Sequence, residues 1–390
     1  MTARNRTVRV LAGAVGAWCL AGAAVADGDA AVFGVAWDGD VMGPVAGDAR
    51  KVARGLSALT LSADVDLEKA LGWRGGAFHA DVLSTSGAEP NLDVGTLQGV
   101  NNIETERHRT VLLTAWVQQS FADGRASLLA GLYDVNSEFY VGEAASLFVH
   151  PSFGIGPEFS AAGPALYPAT SLAVRGRATF GERGYVQAVV SNATLGVPGD
   201  PDGVDTDFDG GVLTVVEGGI EGETKLAVGA WSFSERFDDL RQTDAFGDPV
   251  KSRAQGAYVL VERPFAHEGG PSGAWFVKAG VSDGDTTEVS GAVQAGFVVN
   301  APFAARPDGV LGFGVAYASI SDKARANAVD AGGDLARGET AWELTYSDSL
   351  TEHVAVQPTL MVIDNPGGDP DADTAVVLGV RFSLAWSSAD

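Results

Sequence analysis

Cysteine is almost missing from this 390-residue chain: the one cysteine, Cys19, lies within the first 26 residues. Those residues carry three arginines near their start, an apolar or small stretch over 10–23, and an A-x-A sequence at 24–26. This order is typical of a secretory signal peptide, and the apolar run is short for a transmembrane anchor. We therefore predict that residues 1–26 are removed. Residues 27–390 then contain no cysteine, which excludes a disulfide framework and a thiolate metal site.

Basic residues and long apolar runs are also scarce. Without the predicted signal peptide, 23 lysines and arginines stand against 50 aspartates and glutamates, so the net charge is about −27. A chain this acidic repels nucleic acid, and we predict no such partner. After residue 26 no segment approaches the 18 or so uninterrupted apolar residues that a membrane-spanning helix needs.

Catalytic motifs are missing as well. The five histidines are scattered, and none belongs to an H-E-x-x-H sequence. The G-x-G sequences that begin at Gly154 and Gly312 lack the strand–turn–helix context of a dinucleotide site. We predict that the protein is not an enzyme and holds no cofactor.

What the chain does have is alternation of apolar and polar residues. In the last segment Leu378, Val380 and Phe382 share one parity and Arg381 falls on the other, which predicts a strand with one apolar face. Several segments of this kind are 10 to 13 residues long, the length of a tilted strand that crosses a bilayer. Sixteen such segments are predicted, at 31–38, 55–68, 74–86, 109–121, 125–135, 169–180, 184–194, 210–218, 224–234, 254–264, 273–283, 288–300, 309–320, 339–348, 353–362 and 374–386.

The connections between these segments alternate in length. Tight turns on one side and long loops on the other are typical of outer-membrane barrels. A soluble β-sandwich is the alternative, but the strand lengths and the aromatic residues near strand ends favour a closed barrel. The predicted fold is an all-β, 16-stranded antiparallel transmembrane barrel that forms one domain over 27–390. The short connection at 283–285 is an exception to the alternation of short and long connections. The long connections are predicted at 39–54, 87–108, 136–168, 195–209, 235–253, 321–338 and 363–373.

The connection at 136–168, called loop L3 from here on, differs from its acidic neighbours. It is mostly apolar and rich in glycine and proline. A structureless loop of this length is uncommon in a compact domain unless it is functional. Because such side chains pack against something and the barrel interior is available, we predict that L3 folds inward and narrows the pore. Its aromatic residues are Phe139, Tyr140, Phe148, Phe153, Phe159 and Tyr167.

Several runs of residues resemble the carbohydrate-selective porin family of the OprB type. The resemblance is strong from about 56 to 180 and only architectural beyond, and the chain departs from the common pattern by continuing past Trp386. It implies an outer-membrane barrel that passes small sugars down their gradient, with a folded-in loop narrowing the lumen. The runs are LQGVNNIE at 97–104, QSF at 119–121, AGLYDVNSEF at 130–139, SFGIGPEF at 152–159 and PATSL at 168–172.

Candidate site residues follow from parity and from this resemblance. Arg175 and Arg177 have the parity opposite to Val174, so both are expected in the lumen, where guanidinium groups could donate to sugar hydroxyls. Pairing with a lumenal carboxylate, with Asp134 and Glu138 as the natural partners, is the alternative for each arginine. Lys278 and Arg381 are expected in the lumen by the same argument. The other predicted constriction residues are Asn136, Phe139, Phe153, Glu158 and Phe159. The aromatic rings of the three phenylalanines could stack on pyranose rings.

Aspartates crowd two of the predicted external loops. Asp205, Asp207 and Asp209 are weak candidates for calcium, but their spacing does not match an EF-hand, and no metal site is predicted. A solvated surface that contacts outer-membrane lipid and lipopolysaccharide is favoured instead. The alternative function is therefore a structural or adhesive barrel whose acidic loops bind lipopolysaccharide or partners. For the oligomeric state, the sequence is compatible with a monomer and with a homotrimer.

Overall fold

The predicted fold class, a closed 16-stranded antiparallel barrel, is confirmed: each strand pairs with the next in sequence, and β1 pairs with β16. The structure, a computed structural model, describes residues 29–106, 108–197, 199–267 and 270–389, so the predicted signal peptide lies outside the described residues. The strands are β1 Ala31–Ala46, β2 Arg54–Asp66, β3 Gly76–Gly87, β4 Arg109–Phe121, β5 Ala126–Tyr133, β6 Ser171–Phe180, β7 Gly184–Asn192, β8 Val212–Ile220, β9 Lys225–Thr243, β10 Pro249–Ala266, β11 Ser272–Ser282, β12 Val289–Asn300, β13 Val310–Ile320, β14 Gly338–Ser349, β15 Val354–Asp364 and β16 Ala375–Ser387.

The alternation within each strand separates an apolar outer face from a polar inner one. On β11, Trp275 and Val277 are exposed on the outer face, whereas Lys278 points inward and is fully buried. On β16, Leu378 and Phe382 are likewise exposed and Arg381 is buried. Lipid offers the backbone no hydrogen-bond partners, so a closed ladder with apolar side chains outside is the all-β arrangement that can cross it.

Two predicted connections are shorter than the sequence indicated. β1 continues to Ala46, so the loop predicted at 39–54 shrinks to 47–53. The loop predicted at 235–253 is instead an extension of the β9–β10 hairpin, with a turn at 244–248. Its outer part is charged on both faces and lacks the apolar alternation, but cross-strand pairs such as Lys251 with Asp238, 2.5 Å apart, stabilise it in water.

Short helices lie in the connections. Asp66 caps α1 by accepting from the N–H groups of Glu68 and Lys69, and Ser321 caps α4 by accepting from Ala324 N–H. The predicted loop 321–338 thus contains a helix. No helix of the described residues is long and apolar enough to cross a membrane. The helices are α1 Leu67–Leu71, α2 Asn91–Val94, α3 Pro157–Ser160 and α4 Asp322–Asp330, with 3₁₀ turns at Val135–Ser137, Ala145–Leu147, Pro151–Phe153 and Pro366–Gly368.

The apolar core lies where two long loops meet inward-facing strand residues. L3 contributes Phe139 and Phe159 to a cluster with residues of β5 to β10, and Phe148 and Phe153 to a second cluster with β11 to β13. The connection at 88–108, called loop L2 from here on, packs with β1 to β4 and β14 to β16 in a third cluster. L3 therefore spans between opposite sides of the barrel wall.

Gly87, at the end of β3, generates a testable prediction. Its φ is +113°, and an added Cβ would lie 2.3 Å from the Cα of Leu56 on the paired strand. We expect Gly87→Ala to lower the free energy of unfolding by about 1–3 kcal/mol, because both strain and contact oppose it. Urea unfolding in detergent micelles measures this. Gly176→Ala is the control, since an added Cβ there meets no atom within 4 Å, and equal effects of both changes would contradict the prediction.

Candidate functional site

Inward carboxylates of the barrel wall accept hydrogen bonds from the L3 backbone. Glu217 of β8 accepts from the N–H of Tyr140 at 2.9 Å, and Glu262 of β10 accepts from the N–H of Ala144 at 3.0 Å. Both carboxylates are buried. A buried carboxylate is costly unless hydrogen bonds compensate it, so these contacts hold the loop to the wall and satisfy the charges together.

Across the barrel, Glu343 of β14 continues this pattern. Its two oxygens accept from the N–H groups of Val149 and His150, each at 2.9 Å. Lys278 of β11 supplies the complementary contact by donating to the carbonyl oxygens of Phe153 at 3.0 Å and Gly154 at 2.7 Å. Lys278 is thus committed to the loop and is not a free lumenal cation.

L2 is held in the same manner. Glu339 of β14 accepts from the N–H groups of Leu97 at 2.7 Å and Gln98 at 3.1 Å. Arg381 of β16 donates to both oxygens of Asp40 at 2.9 and 2.7 Å, and to Oδ1 of Asn102 at 2.7 Å. Arg381 is therefore placed inward, where it links β1 to L2. The sequence had indicated L2 only as an external connection.

Arg175 lies inward on β6 and is almost fully buried by its partners. Its Nε and Nη2 donate to the two oxygens of Glu138 at 2.7 and 2.9 Å. Nη1 donates to Ser127 at 2.6 Å, and Nη2 also reaches Gln118 at 2.8 Å. The Glu138 carboxylate also accepts from the hydroxyl of Tyr133 at 2.5 Å. This network fixes the start of L3 to three strands.

Arg177 is the more accessible of the two arginines. Its Nη1 donates to Gln187 at 2.7 Å, and its Nη2 to the oxygens of Glu221 at 3.0 and 3.1 Å. The guanidinium carbon lies 4.5 Å from the ring centroid of Tyr185. The side chain of Arg177 is 24% exposed, compared with 3% for Arg175. Arg177 therefore keeps more of its surface open to the cavity than Arg175 does.

Asp134 and Asn136 shape the backbone at the start of L3. A carboxylate oxygen of Asp134 accepts from the N–H of Asn136 at 2.8 Å, which caps a 3₁₀ turn. The expectation that Asp134 pairs with a lumenal arginine is wrong, because Glu138 takes that place on Arg175. Asn136 donates from Nδ2 to the carbonyl of Phe139 at 3.1 Å.

The three L3 phenylalanines predicted to contact sugar are all buried. Phe159 stacks on Trp231, with centroids 4.7 Å apart and planes 11° apart. Phe153 packs against Phe148 at 4.3 Å, and Phe139 is fully enclosed. These rings face the wall and not the open lumen, so they hold the loop in place. The expectation that they stack on pyranose rings is wrong, because an apolar loop in water buries its apolar side first.

Glu158, on α3 of L3, is fully buried. An added Cβ at Gly280 would lie 1.8 Å from one of its carboxylate oxygens, so β11 needs glycine at this point. Burial raises the pKa of Glu158 to about 7, and the nearby ammonium of Lys278 and hydroxyl of Tyr140 offset only part of that effect.

A cavity of about 640 Å³ lies beneath L3. Its lining residues on β4, on β6 and at the β8–β9 connection are close to the turns at 122–125, 181–183 and 221–224, so the cavity lies toward the short-turn end of the barrel. The alternation in the sequence predicts which residues of a strand line the lumen only when it is known which of its two faces points inward. The lining of the cavity includes Asp64, His79, Asp81, Trp116, Gln118, Glu138, Glu143, Arg175, Arg177, Glu221 and Lys225.

The weak calcium candidates lie far from this cavity, in the exposed connection between β7 and β8. Asp205 accepts from the N–H of Asp207 at 3.0 Å, and Asp207 accepts from the N–H of Asp209 at 3.1 Å. Such turns occupy one oxygen of each of the first two carboxylates. Within the described ranges, no group of three or more histidine, cysteine, aspartate or glutamate side chains could hold a metal ion.

A closed barrel with an apolar exterior and a loop-filled polar interior defines the class of protein: a channel of the bacterial outer membrane, not an enzyme. Residues 50–385 match the family described as Carbohydrate-selective porin, OprB family. The chain belongs to this family, which confirms the resemblance seen in the sequence.

Individual relatives agree with this assignment. The chain is 25% identical to Porin B of Pseudomonas aeruginosa over 384 residues, which cover 87% of this chain and 83% of that protein. It is similar to the high-pH structure of Pseudomonas putida OprB, with a TM-score of 0.82 and 22% identity over 92% of this chain and 94% of that one. The low-pH structure of the same protein gives a TM-score of 0.60 and 18% identity, over 91% and 92% of the two chains. These two structures support the fold.

The raised pKa of Glu158 predicts how loop attachment depends on pH. Its pKa is about 7 in the folded loop against an ordinary 4.5, so protonation favours the folded arrangement. The contribution is fully present below about pH 4.5 and is lost as the pH rises through 7. We expect Glu158→Gln to stabilise the protein at pH 8, by on the order of 3 kcal/mol, and to have little effect at pH 4.5.

Urea unfolding in detergent micelles at both pH values measures this difference. Glu143→Gln is the matched control, because Glu143 is an exposed glutamate of the same loop. If both variants change stability equally between pH 4.5 and pH 8, burial of Glu158 is not the cause.

Proposed function

We propose that this porin mediates passive diffusion of small carbohydrates, with L3 narrowing the pore and Arg177 contacting sugar hydroxyls. L3 is supported as the narrowing element by its attachment to β8, β10, β11 and β14, which lie on different sides of the wall. A loop held at these points leaves only part of the lumen cross-section open.

The observation that carries the proposal is the pairing of both arginines that line the cavity with carboxylates. Arg175 is bonded to Glu138, Arg177 to Glu221, and His79 to two aspartates. Paired charges present weak net fields but many hydrogen-bonding groups, which suits a neutral solute covered with hydroxyls.

The two arginines differ in what they contribute. Arg175 positions L3 through Glu138, and its exposure is too small for it to bind a passing solute. Arg177 keeps one side open to the cavity, while Glu221 and Gln187 fix its guanidinium plane. We infer that Arg177 donates to sugar hydroxyls and that Arg175 acts as a positioning residue.

Liposome swelling with sugars of increasing size tests the function directly. We expect monosaccharides to enter faster than disaccharides, and larger sugars to be excluded, because L3 limits the open width. The same liposomes without protein are the control. If no sugar up to disaccharide size enters, and none reduces ion conductance in planar bilayers, the carbohydrate assignment fails while the barrel stands.

Arg177→Ala tests the role of the accessible arginine. We expect the glucose concentration that halves the ion current to rise roughly tenfold, since a hydrogen bond from a charged group is worth about 1.5–3 kcal/mol. Arg183→Ala is the control, because Arg183 is an exposed arginine in the turn at 181–183. Arg175→Ala should instead raise the sugar-free conductance by loosening L3. An unchanged glucose block in Arg177→Ala would remove this arginine from the proposal.

Deletion of residues 142–163 tests the narrowing by L3. We expect a larger single-channel conductance and loss of discrimination between monosaccharides and disaccharides, because the deleted segment includes most contacts between L3 and the wall. Deletion of 203–209, in the exposed acidic connection, is the control and should leave conductance unchanged. Equal conductance in both deletions would show that L3 does not set the pore width.

A further inference from the structure

Trp116 of β4 is an aromatic side chain whose surroundings leave it accessible in the cavity. Tyr133 and Tyr185 also line the cavity but are buried, whereas Trp116 is partly exposed. The cross-strand neighbours of Trp116 are His79 on β3 and Gly131 on β5. The rings of His79 and Trp116 stack, with centroids 5.0 Å apart and planes 26° apart.

The neighbour on the other side of Trp116 has no side chain. Gly131 of β5 is partly exposed and is paired directly with Trp116 across the two strands, on the face that points inward. Gly131 pairs in turn with Ala173 on β6, which is also small. One face of the indole is therefore covered by His79, and the position directly beside it on β5 carries no side chain. Leu129 and Tyr133 lie two residues to either side of Gly131, and the indole packs against their cluster while part of it stays exposed in the cavity.

Carboxylates flank this aromatic pair. His79 Nδ1 lies 2.7 Å from Oδ1 of Asp64, and Nε2 lies 2.8 Å from Oδ2 of Asp81. These two bonds fix the imidazole plane and, through stacking, the indole plane. Oδ2 of Asp64 and Oδ1 of Asp81 make no hydrogen bond to another residue of the described part of the chain, so both can accept.

A donor lies on the same face of β4. Gln118 follows Trp116 by two residues and shares its parity. Its Oε1 accepts from Nη2 of Arg175 at 2.8 Å, which orients the amide and leaves Nε2 available to donate. The wall here combines a flat apolar surface, two acceptors and a donor in a concave setting, as small-molecule sites do.

We propose that Trp116, Asp64, Asp81 and Gln118 form a subsite that binds the pyranose ring of a sugar on the short-turn side of L3. One face of a pyranose carries C–H groups with partial positive charge, which the negative face of the indole attracts. The hydroxyl groups on the ring perimeter donate to the aspartates and accept from the glutamine amide. This inference rests on the proposed carbohydrate channel and narrows its ligand to cyclic sugars in preference to open-chain polyols.

Comparison of D-glucose with its open-chain counterpart D-sorbitol tests the subsite. In planar bilayers we expect Trp116→Leu to raise the glucose concentration that halves the ion current by about three- to tenfold. The block by sorbitol, which lacks a ring face, should change less than twofold. Trp116→Phe keeps an aromatic face and should stay within about twofold of the unsubstituted protein for both solutes.

Trp275→Leu is the matched control, because Trp275 is exposed on the outer face of β11. Gel mobility before and after heating verifies that each variant forms a barrel, and Trp116→Phe remains informative if Trp116→Leu does not fold. Equal losses of glucose and sorbitol block in Trp116→Leu, or none, would overturn the subsite. If glucose neither blocks nor permeates the unsubstituted channel, the proposed function fails instead, and the two failures are thereby distinguished.

Discussion

Every feature of this protein depends on the need to satisfy backbone hydrogen bonds in lipid. Sixteen strands meet that need by closing on themselves, with β1 paired to β16. Successive side chains of a strand point to opposite faces, so closure makes one face the lumen and the other the lipid surface, and polar groups on the strands collect inside. The lumen then contains buried carboxylates that need hydrogen-bond donors. Backbone N–H groups of L2 and L3 supply them, and the two loops become part of the interior.

This arrangement divides the lumenal charges into two groups. Lys278, Arg381 and Arg175 are committed to holding loops, and their burial leaves them little contact with solvent. Arg177 and the surroundings of Trp116 face the open cavity and are available to a solute. In the proposed function the two groups have different roles. The first holds the loops that narrow the passage, and the second offers hydrogen bonds that replace those a sugar loses to water.

Parity in the sequence was sufficient for the fold and for much of the inner face. It predicted sixteen strands, and it assigned Arg175, Lys278 and Arg381 to the side on which the structure has them. Parity says nothing about partners, which is why the role expected for Asp134 was wrong. The outer part of the β9–β10 hairpin was also missed, because its charged residues fall on both faces and leave no apolar alternation.

The site was harder to derive because it depends on how loops fold back. The apolar character of L3 predicted that it packs, yet the same character buries the rings that were expected to meet sugar. The anchoring glutamates on β8, β10 and β14 are single acidic residues on inward positions, and no local pattern marks them. Trp116 has the parity of the lumen, but its accessibility follows from Gly131, a neighbour that only strand pairing reveals.

The carboxylate anchors contact L3 through backbone N–H groups and not through its side chains. Every residue except proline carries such a donor. Substitutions at the exposed positions of the loop therefore leave these hydrogen bonds in place. The attachment of the loop thus places few demands on its exposed side chains, and these positions can vary in sequence while the architecture of the barrel is kept.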